Sequence, residues 1–197
     1  MQFTRRDWRN RNAIKSPEGL HWLTIPVASK GKYLQKINET TISDAAWRER
    51  HLNVLRHTYA KAEHFAECFP WIEAVYAGLD SPQLSNVNRL LIEAVCARLG
   101  IVTSVSASSD YALVDGKNER LIEICVQAGA THYVSGPAAR SYLDESAFNE
   151  RGVRVEWMDY EGYPEYPQLY PPFEHKVSIL DLILHTGSQA LQYVRRT

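Results

Sequence analysis

The chain has 197 residues, 45% hydrophobic and 23% charged, which suits one globular domain with a substantial core. With 22 Lys and Arg against 23 Asp and Glu, the net charge of −1 excludes a global field that would gather a polyanion. No stretch approaches the ~20 apolar residues of a membrane-spanning helix, and the polar, basic first residues lack the apolar run of a secretion signal.

The first feature in chain order is the segment "RRDWRNRNAIK", residues 5–15. Five cations (Arg5, Arg6, Arg9, Arg11 and Lys15) face one anion, Asp7, around Trp8, Asn10 and Asn12. A solvated basic tail is the plain explanation. Surface runs favour Lys, however, whereas Arg supplies planar bidentate recognition of phosphate or carboxylate and stacks on rings. Asn side chains add donors and acceptors. The segment therefore reads as a site for an anionic ligand. It should be ordered, with Trp8 partly buried as its anchor and its side chains in a cleft shared with His51 and the Ser135-Gly136 turn.

"HWLTIPVA" (21–28) reads as a strand between Gly19 and Ser29-Lys30-Gly31. Ser43 is a plausible N-cap for a helix with Trp47, His51, Val54/Leu55, Thr58/Tyr59 and Ala62 on one face. Residues 64–78 read as two short helical pieces divided at Pro70. Three helix–Gly–strand units follow: 83–99 closed by Gly100 then "IVTSVS", 117–128 closed by Gly129 then "THYVS", and 138–150, in one or two pieces, stopped by Gly152 then "VRVEWM". Such units predict an α/β fold in which a mainly parallel sheet with flanking helices forms one domain over 1–197. The 21–28 strand should add to that sheet and the Ser43 helix pack on it. Beyond the Pro/Tyr-rich stretch "YEGYPEYPQLYPPF", a last helix starts near Ser178 and breaks at Gly187, and Arg195 and Arg196 near its end suit the helix dipole.

Familiar catalytic signatures are absent: no G-x-S-x-G, Walker loop, G-x-G-x-x-G or H-E-x-x-H. The seven histidines never fall at i,i+3 or i,i+4, and His57 and His64 would sit roughly 10 Å apart on a helix, so no metal site is expected and no cofactor is indicated. His51, on the apolar stripe of its helix, suits a satisfied core histidine more readily than an acid or base lining a cleft. Cys68, Cys96 and Cys125, odd in number and without CxxC, read as reduced, buried thiols of a cytoplasmic protein. Ser135-Gly136-Pro137 stands where a strand ends and a helix begins. That is a ligand position in open α/β sheets and equally an ordinary cap with Pro at N1. Ser178 as N-cap with Asp181 at N3 is the pattern of a capping box.

The ordered set "RRDWRNRNAIK…WLTIPV", Trp47 and His51, "LGI", "YVSGPAARSYLD", "F…GVRVEWMDY", "YPQ" and "SILDLILHTG" resembles the WbqC-like protein family over nearly the whole chain, to about Gly187. In that family a strand and turn of His/Gln-Pro-x-Tyr-x-Pro-Trp type precedes the arginine motif. This sequence starts after that point, so the legible site is expected to be part of a larger one. The resemblance implies a place in O-antigen and related surface-polysaccharide clusters. It carries the site residues Arg5, Arg6, Trp8, Asn10, Arg11, Asn12, His51, Ser135, Gly136, Gln168, Ser178 and Asp181. Two functions follow. One is a transferase taking a nucleotide-linked or otherwise anionic sugar or acyl donor, with the arginines on the anion and His51 or Ser135 handling the proton. The other is a non-catalytic binder or scaffold in the same pathway. One short arginine cluster on a nearly neutral chain is a small footprint for nucleic acid.

Overall fold

The computed structural model describes residues 2–4 and 8–194. The expectations placed on Arg5, Arg6, Arg195 and Arg196 lie outside the described residues. The chain forms two compact units, the first comprising 1–103 with 163–197 and the second 104–162.

The first unit opens with an antiparallel hairpin, β1 (Arg11–Ser16) and β2 (Gly19–Thr24), in the register Arg11↔Thr24, Asn12↔Leu23, Ala13↔Trp22. Its turn is fixed by Ser16 Oγ, which donates to the Gly19 carbonyl at 3.0 Å, and by the positive φ of Gly19. The ladder runs one step further, with Ile25 N–H donating to the Asn10 carbonyl at 2.8 Å. Ile14 and Leu23 are buried on one face, so the arginine motif passes directly into a core strand.

Around the hairpin stand α1 (Trp47–Tyr59), α2 (Phe65–Ala77), α3 (Leu84–Arg98), α6 (Ile179–Thr186) and the short α7 (Ala190–Tyr193). Their core is built on Leu55, Tyr59, Ile72, Leu84, Ile183 and Leu184. Three local expectations are corrected here. Ser43 is not the cap of α1: its N–H donates to the Pro26 carbonyl, the helix starts at Trp47, and Asp44 Oδ1 accepts Ala46 N–H nearby. Pro70 does not divide the chain, because α2 runs through it. Cys68, Phe69, Ile72 and Tyr76 are all buried, and that burial on both sides of the proline outweighs one missing backbone hydrogen bond. The strand expected over 21–28 runs instead over Gly19–Thr24. The final helix does start after Ser178, whose side chain accepts Leu180 N–H, and it ends at Gly187.

The second unit contains α4 (Lys117–Gln127), β3 (His132–Ser135), α5 (Glu145–Glu150) and β4 (Arg154–Trp157). β3 and β4 pair in parallel, His132↔Arg154 through Ser135↔Trp157, over a core of Ile122, Cys125, Phe148 and Val153. The 138–150 segment is in two pieces, a 3-10 turn over Pro137–Ser141 and then α5, which Asp144 caps.

The architecture is thus mixed helix and strand, but a mainly parallel sheet does not form among the described residues. Their strands make two two-stranded sheets, one antiparallel and one parallel. "IVTSVS" is not a strand: Val102 is 96% exposed and the boundary between the units falls at Thr103 and Ser104. The 21–28 strand pairs with β1 rather than with β3 or β4. Helix–Gly–strand periodicity locates the helices and their ends, whereas strand formation and sheet membership depend on which edges meet.

Candidate functional site

The first unit encloses a cavity of about 360 Å³, within the range of small-molecule sites. Its floor is the hairpin face bearing Asn12, Leu23 and Ile25, and α1 supplies Trp47 and His51. α2 supplies Trp71, Ile72, Val75 and Tyr76, α3 supplies Asn88, Leu91, Ile92 and Val95, and the start of α6 supplies Ser178, Ile179 and Leu180. Trp8, Arg9, Asn10 and Arg11 complete it. The chamber is therefore largely aliphatic and aromatic, with its polar groups concentrated along the arginine motif.

The motif is held from several sides. Asn88 Nδ2 donates to the Arg9 carbonyl at 2.8 Å, fastening the turn before β1 to α3. Ser178 N–H donates to the Ala13 carbonyl at 2.7 Å, fastening α6 to β1. Asn10 is 8% exposed; its Nδ2 donates to the Ile25 carbonyl at 3.0 Å, while its Oδ1 is buried with no partner among the described residues. Alternation along β1 puts Arg11 on the Trp22 side, where its guanidinium stacks 4.3 Å from the ring centre. Arg11 Nε is buried and likewise without a partner. Trp8 is not an anchor. It is 76% exposed and lies under the Arg9 guanidinium at 4.9 Å, because the ordering of this turn comes from Asn88 and the hairpin ladder instead.

His51 is buried, with both ring nitrogens occupied. Nε2 lies 3.0 Å from the Thr24 carbonyl, which can only accept, so Nε2 carries the proton and Nδ1 accepts from the Tyr76 hydroxyl at 3.3 Å. Burial holds its pKa below the ordinary histidine value despite the Thr24 bond, with Arg50 and His21 acting in the same direction as burial. The Trp47 ring packs against it edge-on at 5.0 Å. A neutral, doubly bonded imidazole positions its neighbours; its proton is committed to a carbonyl.

Asp181 and Gln168 belong to a different cluster. Asp181 is 0% exposed. Tyr59 Oη donates to its Oδ2 at 2.7 Å, and Tyr166 Oη and Gln168 Nε2 donate to its Oδ1 at 2.7 and 2.8 Å. Leu169 N–H donates to His185 Nε2, so His185 Nδ1 carries the proton that faces the Asp181 carbonyl at 2.7 Å and Oδ1 at 3.4 Å. Burial alone would raise the Asp181 pKa; the bonds from His185, Tyr59, Tyr166 and Gln168 overcome it and hold the carboxyl below its usual value. Gln168 Oε1 accepts from Lys15 Nζ at 2.7 Å, and Lys15 also donates to the Pro172 carbonyl. Asp181 thus does not close a capping box: its side chain ties α6 to α1 and to the 166–174 segment.

Trp8, Asn10, Arg11, Asn12, His51 and Ser178 are therefore brought together, while Gln168 and Asp181 form a satisfied network. Ser135 and Gly136 belong to the second unit. There Gly136 precedes the 3-10 turn, a Cβ on it would approach Tyr160 Oη to 3.2 Å, and the Ser135 carbonyl accepts Met158 N–H at 2.8 Å. Gly136, not Ser135, is the residue in the cap position. Sequence reasoning overlooked Trp71, Tyr76 and Asn88 as site residues. Asn88 carried a signal, being an amide within the apolar stripe Leu84, Val87, Leu91. The cysteines are free, and burial raises the thiols of Cys68 and Cys125, while Cys96 borders the cavity. Among the described residues no cluster of His, Cys, Asp and Glu is suited to a metal ion, and no helix is long and apolar enough to cross a membrane.

A hairpin-floored helical chamber carrying an arginine–asparagine motif is what the first unit presents. The model of the WbqC-like protein family matches residues 1–193, and the chain belongs to that family. It is 50% identical over 195 residues to the uncharacterized protein Rv1507c of Mycobacterium tuberculosis, a match covering 99% of this chain and 84% of that relative. No solved structure matches.

Proposed function

We propose that the cavity holds the donor of a transferase in surface-polysaccharide (O-antigen-type) or amino-sugar biosynthesis, the donor being anionic, such as a nucleotide sugar or an acyl carrier. The observation that carries this reading is the junction of an apolar chamber with Arg9, Asn10, Arg11 and Asn12. An apolar portion of a ligand would lie against Leu23, Ile25, Trp47, Trp71 and Ile92. An anionic portion would meet guanidinium groups, which bind phosphate through paired N–H donors. The reading treats the chain as one functional domain, since the family match runs through both units, and places it in the cytoplasm, in keeping with three unpaired cysteines.

One observation favours a second reading, a non-catalytic sugar-nucleotide binder. His51 spends its proton on the Thr24 carbonyl and its lone pair on Tyr76, leaving the chamber without a free general base on that ring. The two readings separate when full-length protein is titrated with UDP-glucose, UDP-N-acetylglucosamine and acetyl-CoA, and each mixture is then supplied with an unacylated amino sugar as acceptor and followed by product mass. Saturable binding weakened in Arg11→Ala at unchanged Tm supports the cavity. Product formation then supports the transferase, binding without product supports the binder, and absence of binding to all three overturns both.

A further inference from the structure

We propose that the cavity takes the hydrocarbon chain of a single-chain anionic amphiphile, an acyl or prenyl chain whose charged head stays at the arginine motif. This rests on the cavity reading above and names the chemical class of the part that is buried.

Two walls of the cavity differ in chemistry. One is built by α2 and α3, which bring Trp71, Ile72, Val75, Leu91, Ile92 and Val95 to the space. Ile92 stays 53% exposed, and Trp71, Val75, Leu91 and Val95 are only partly buried. Apolar side chains left open around a hollow of about 360 Å³ gain when a hydrocarbon covers them. The other wall is β1 with the turn before it, which places Arg9 and Arg11 among the lining residues. No Asp or Glu is among the described residues that line the cavity, so its charge is positive on balance.

The polar groups of the lining are largely spent on the protein itself. His51 uses both ring nitrogens, on the Thr24 carbonyl and the Tyr76 hydroxyl. Asn88 Nδ2 donates to the Arg9 carbonyl and Asn10 Nδ2 to the Ile25 carbonyl, while Asn12 Oδ1 accepts Ala13 N–H. Asn12 Nδ2 and the Ser178 hydroxyl keep hydrogens to give, and both stand on the hairpin side, since Ser178 N–H is bonded to the Ala13 carbonyl. A sugar ring set among the α2 and α3 side chains would bring several hydroxyls to a wall with few partners for them, which is unfavourable. A chain of methylenes brings none. The volume is more than twice the ~150 Å³ that admits a benzene ring, which gives room for about a dozen carbons. Biological anions that carry so many carbons without a polar atom are acyl and prenyl chains.

The test titrates full-length protein with butyl, hexyl, octyl and decyl phosphate below their micelle-forming concentrations, and with glucose 1-phosphate. Affinity should rise about 3- to 4-fold per methylene, about 100-fold from butyl to octyl, and level off once the chamber is full. Glucose 1-phosphate should bind no more tightly than butyl phosphate. Added salt should weaken every member by the same factor and leave the increment per methylene unchanged, because charge holds the head and burial holds the chain. Val95→Trp, which fills the chamber from α3, should flatten the series while butyl phosphate still binds. Octanoyl-CoA against CoA separates two sources of such a chain. A gain from the octanoyl group assigns the chain to an acyl carrier, and a gain confined to the phosphates assigns it to a lipid phosphate. A flat series, a rise that survives in Val95→Trp, or glucose 1-phosphate binding more tightly than octyl phosphate would each overturn the assignment. If glucose 1-phosphate then binds and is weakened by Arg11→Ala, the cavity reading stands without it. Binding of no probe in wild type overturns both, and because the wild-type series needs no variant, misfolding of Val95→Trp cannot rescue the proposal.

Discussion

Asn10 and Asp181 are both buried polar side chains of the first unit, and their surroundings differ in kind. The Asp181 carboxylate meets two tyrosine hydroxyls and one amide within 2.8 Å, with the protonated His185 Nδ1 at 3.4 Å. Asn10 has one satisfied nitrogen and one orphaned oxygen. A charge enclosed by donors on separate segments is a clamp, because each donor is itself stranded if the charge goes. An acceptor with no donor among the described residues holds nothing in place, although Asn10 lines the cavity.

The largest expected effect breaks the clamp. Asp181→Ala should lose about 3–5 kcal/mol of unfolding free energy in denaturant titration, since it strands Tyr59, Tyr166 and Gln168 in the core. If Asp181 were instead a binding residue, the variant would keep its stability and lose affinity. Tyr59→Phe removes one donor and keeps the ring's packing, so it should lose about 1.5–3 kcal/mol, the range for a hydrogen bond to a charged group. Acid should act on the same cluster. The folded carboxyl titrates below its unfolded value of about 3.9, so its contribution is complete above that pH and is lost as the pH falls through the folded value. Wild type should accordingly lose more stability between pH 5 and pH 2.5 than Asp181→Asn, a measurement made by repeating the denaturant titration at each pH.

Asn10 should behave oppositely. Asn10→Leu removes the bond to the Ile25 carbonyl but also the orphaned oxygen, and it adds apolar surface to an apolar chamber. Its stability change should stay within about 1 kcal/mol, while affinity for a ligand in the cavity that Asn10 lines falls. Thermal unfolding with calorimetric titration on the same sample reads both. A loss comparable to that of Asp181→Ala would mean that Asn10 is structural.

Much of this was legible in the letters and some of it was not, for physical reasons tied to particular residues. Gly100, Gly129 and Gly152 adopt positive φ where the helices before them end, so local backbone chemistry located those boundaries. The pairing of strands was not local: "IVTSVS" has the composition of a strand and pairs with no strand among the described residues, while Arg11–Ser16, given no element by its letters, pairs with β2. Of the segment 5–15, Trp8–Asn12 line the cavity. The mixture of Arg, Asn and Trp there misplaced Trp8, because an indole's burial depends on what packs over it and not on its neighbours in sequence. Asp181 was read as a cap since its three main donors come from positions as distant as Tyr59, which no pattern within a helix can reveal.

The smallest expected effect concerns His51, which stands between the two kinds of region: it lines the cavity like Asn10 and is satisfied like Asp181. Burial keeps its folded pKa below the unfolded value of about 6.5. The unfolded chain therefore binds the proton first, and His51 stabilises the fold fully above that pH, its contribution falling as the pH drops toward the folded pKa. Protonation would place a hydrogen on Nδ1 against the Tyr76 hydroxyl, which could answer only by turning its own hydrogen away. In a two-dimensional NMR titration the His51 ring should hold one neutral tautomer, protonated on Nε2, to a pH below the ordinary histidine value of about 6.5. A His51 ring that titrates at that ordinary value and exchanges tautomers would show that it is free to carry protons, and would return it to the list of acid–base candidates for the transferase reading.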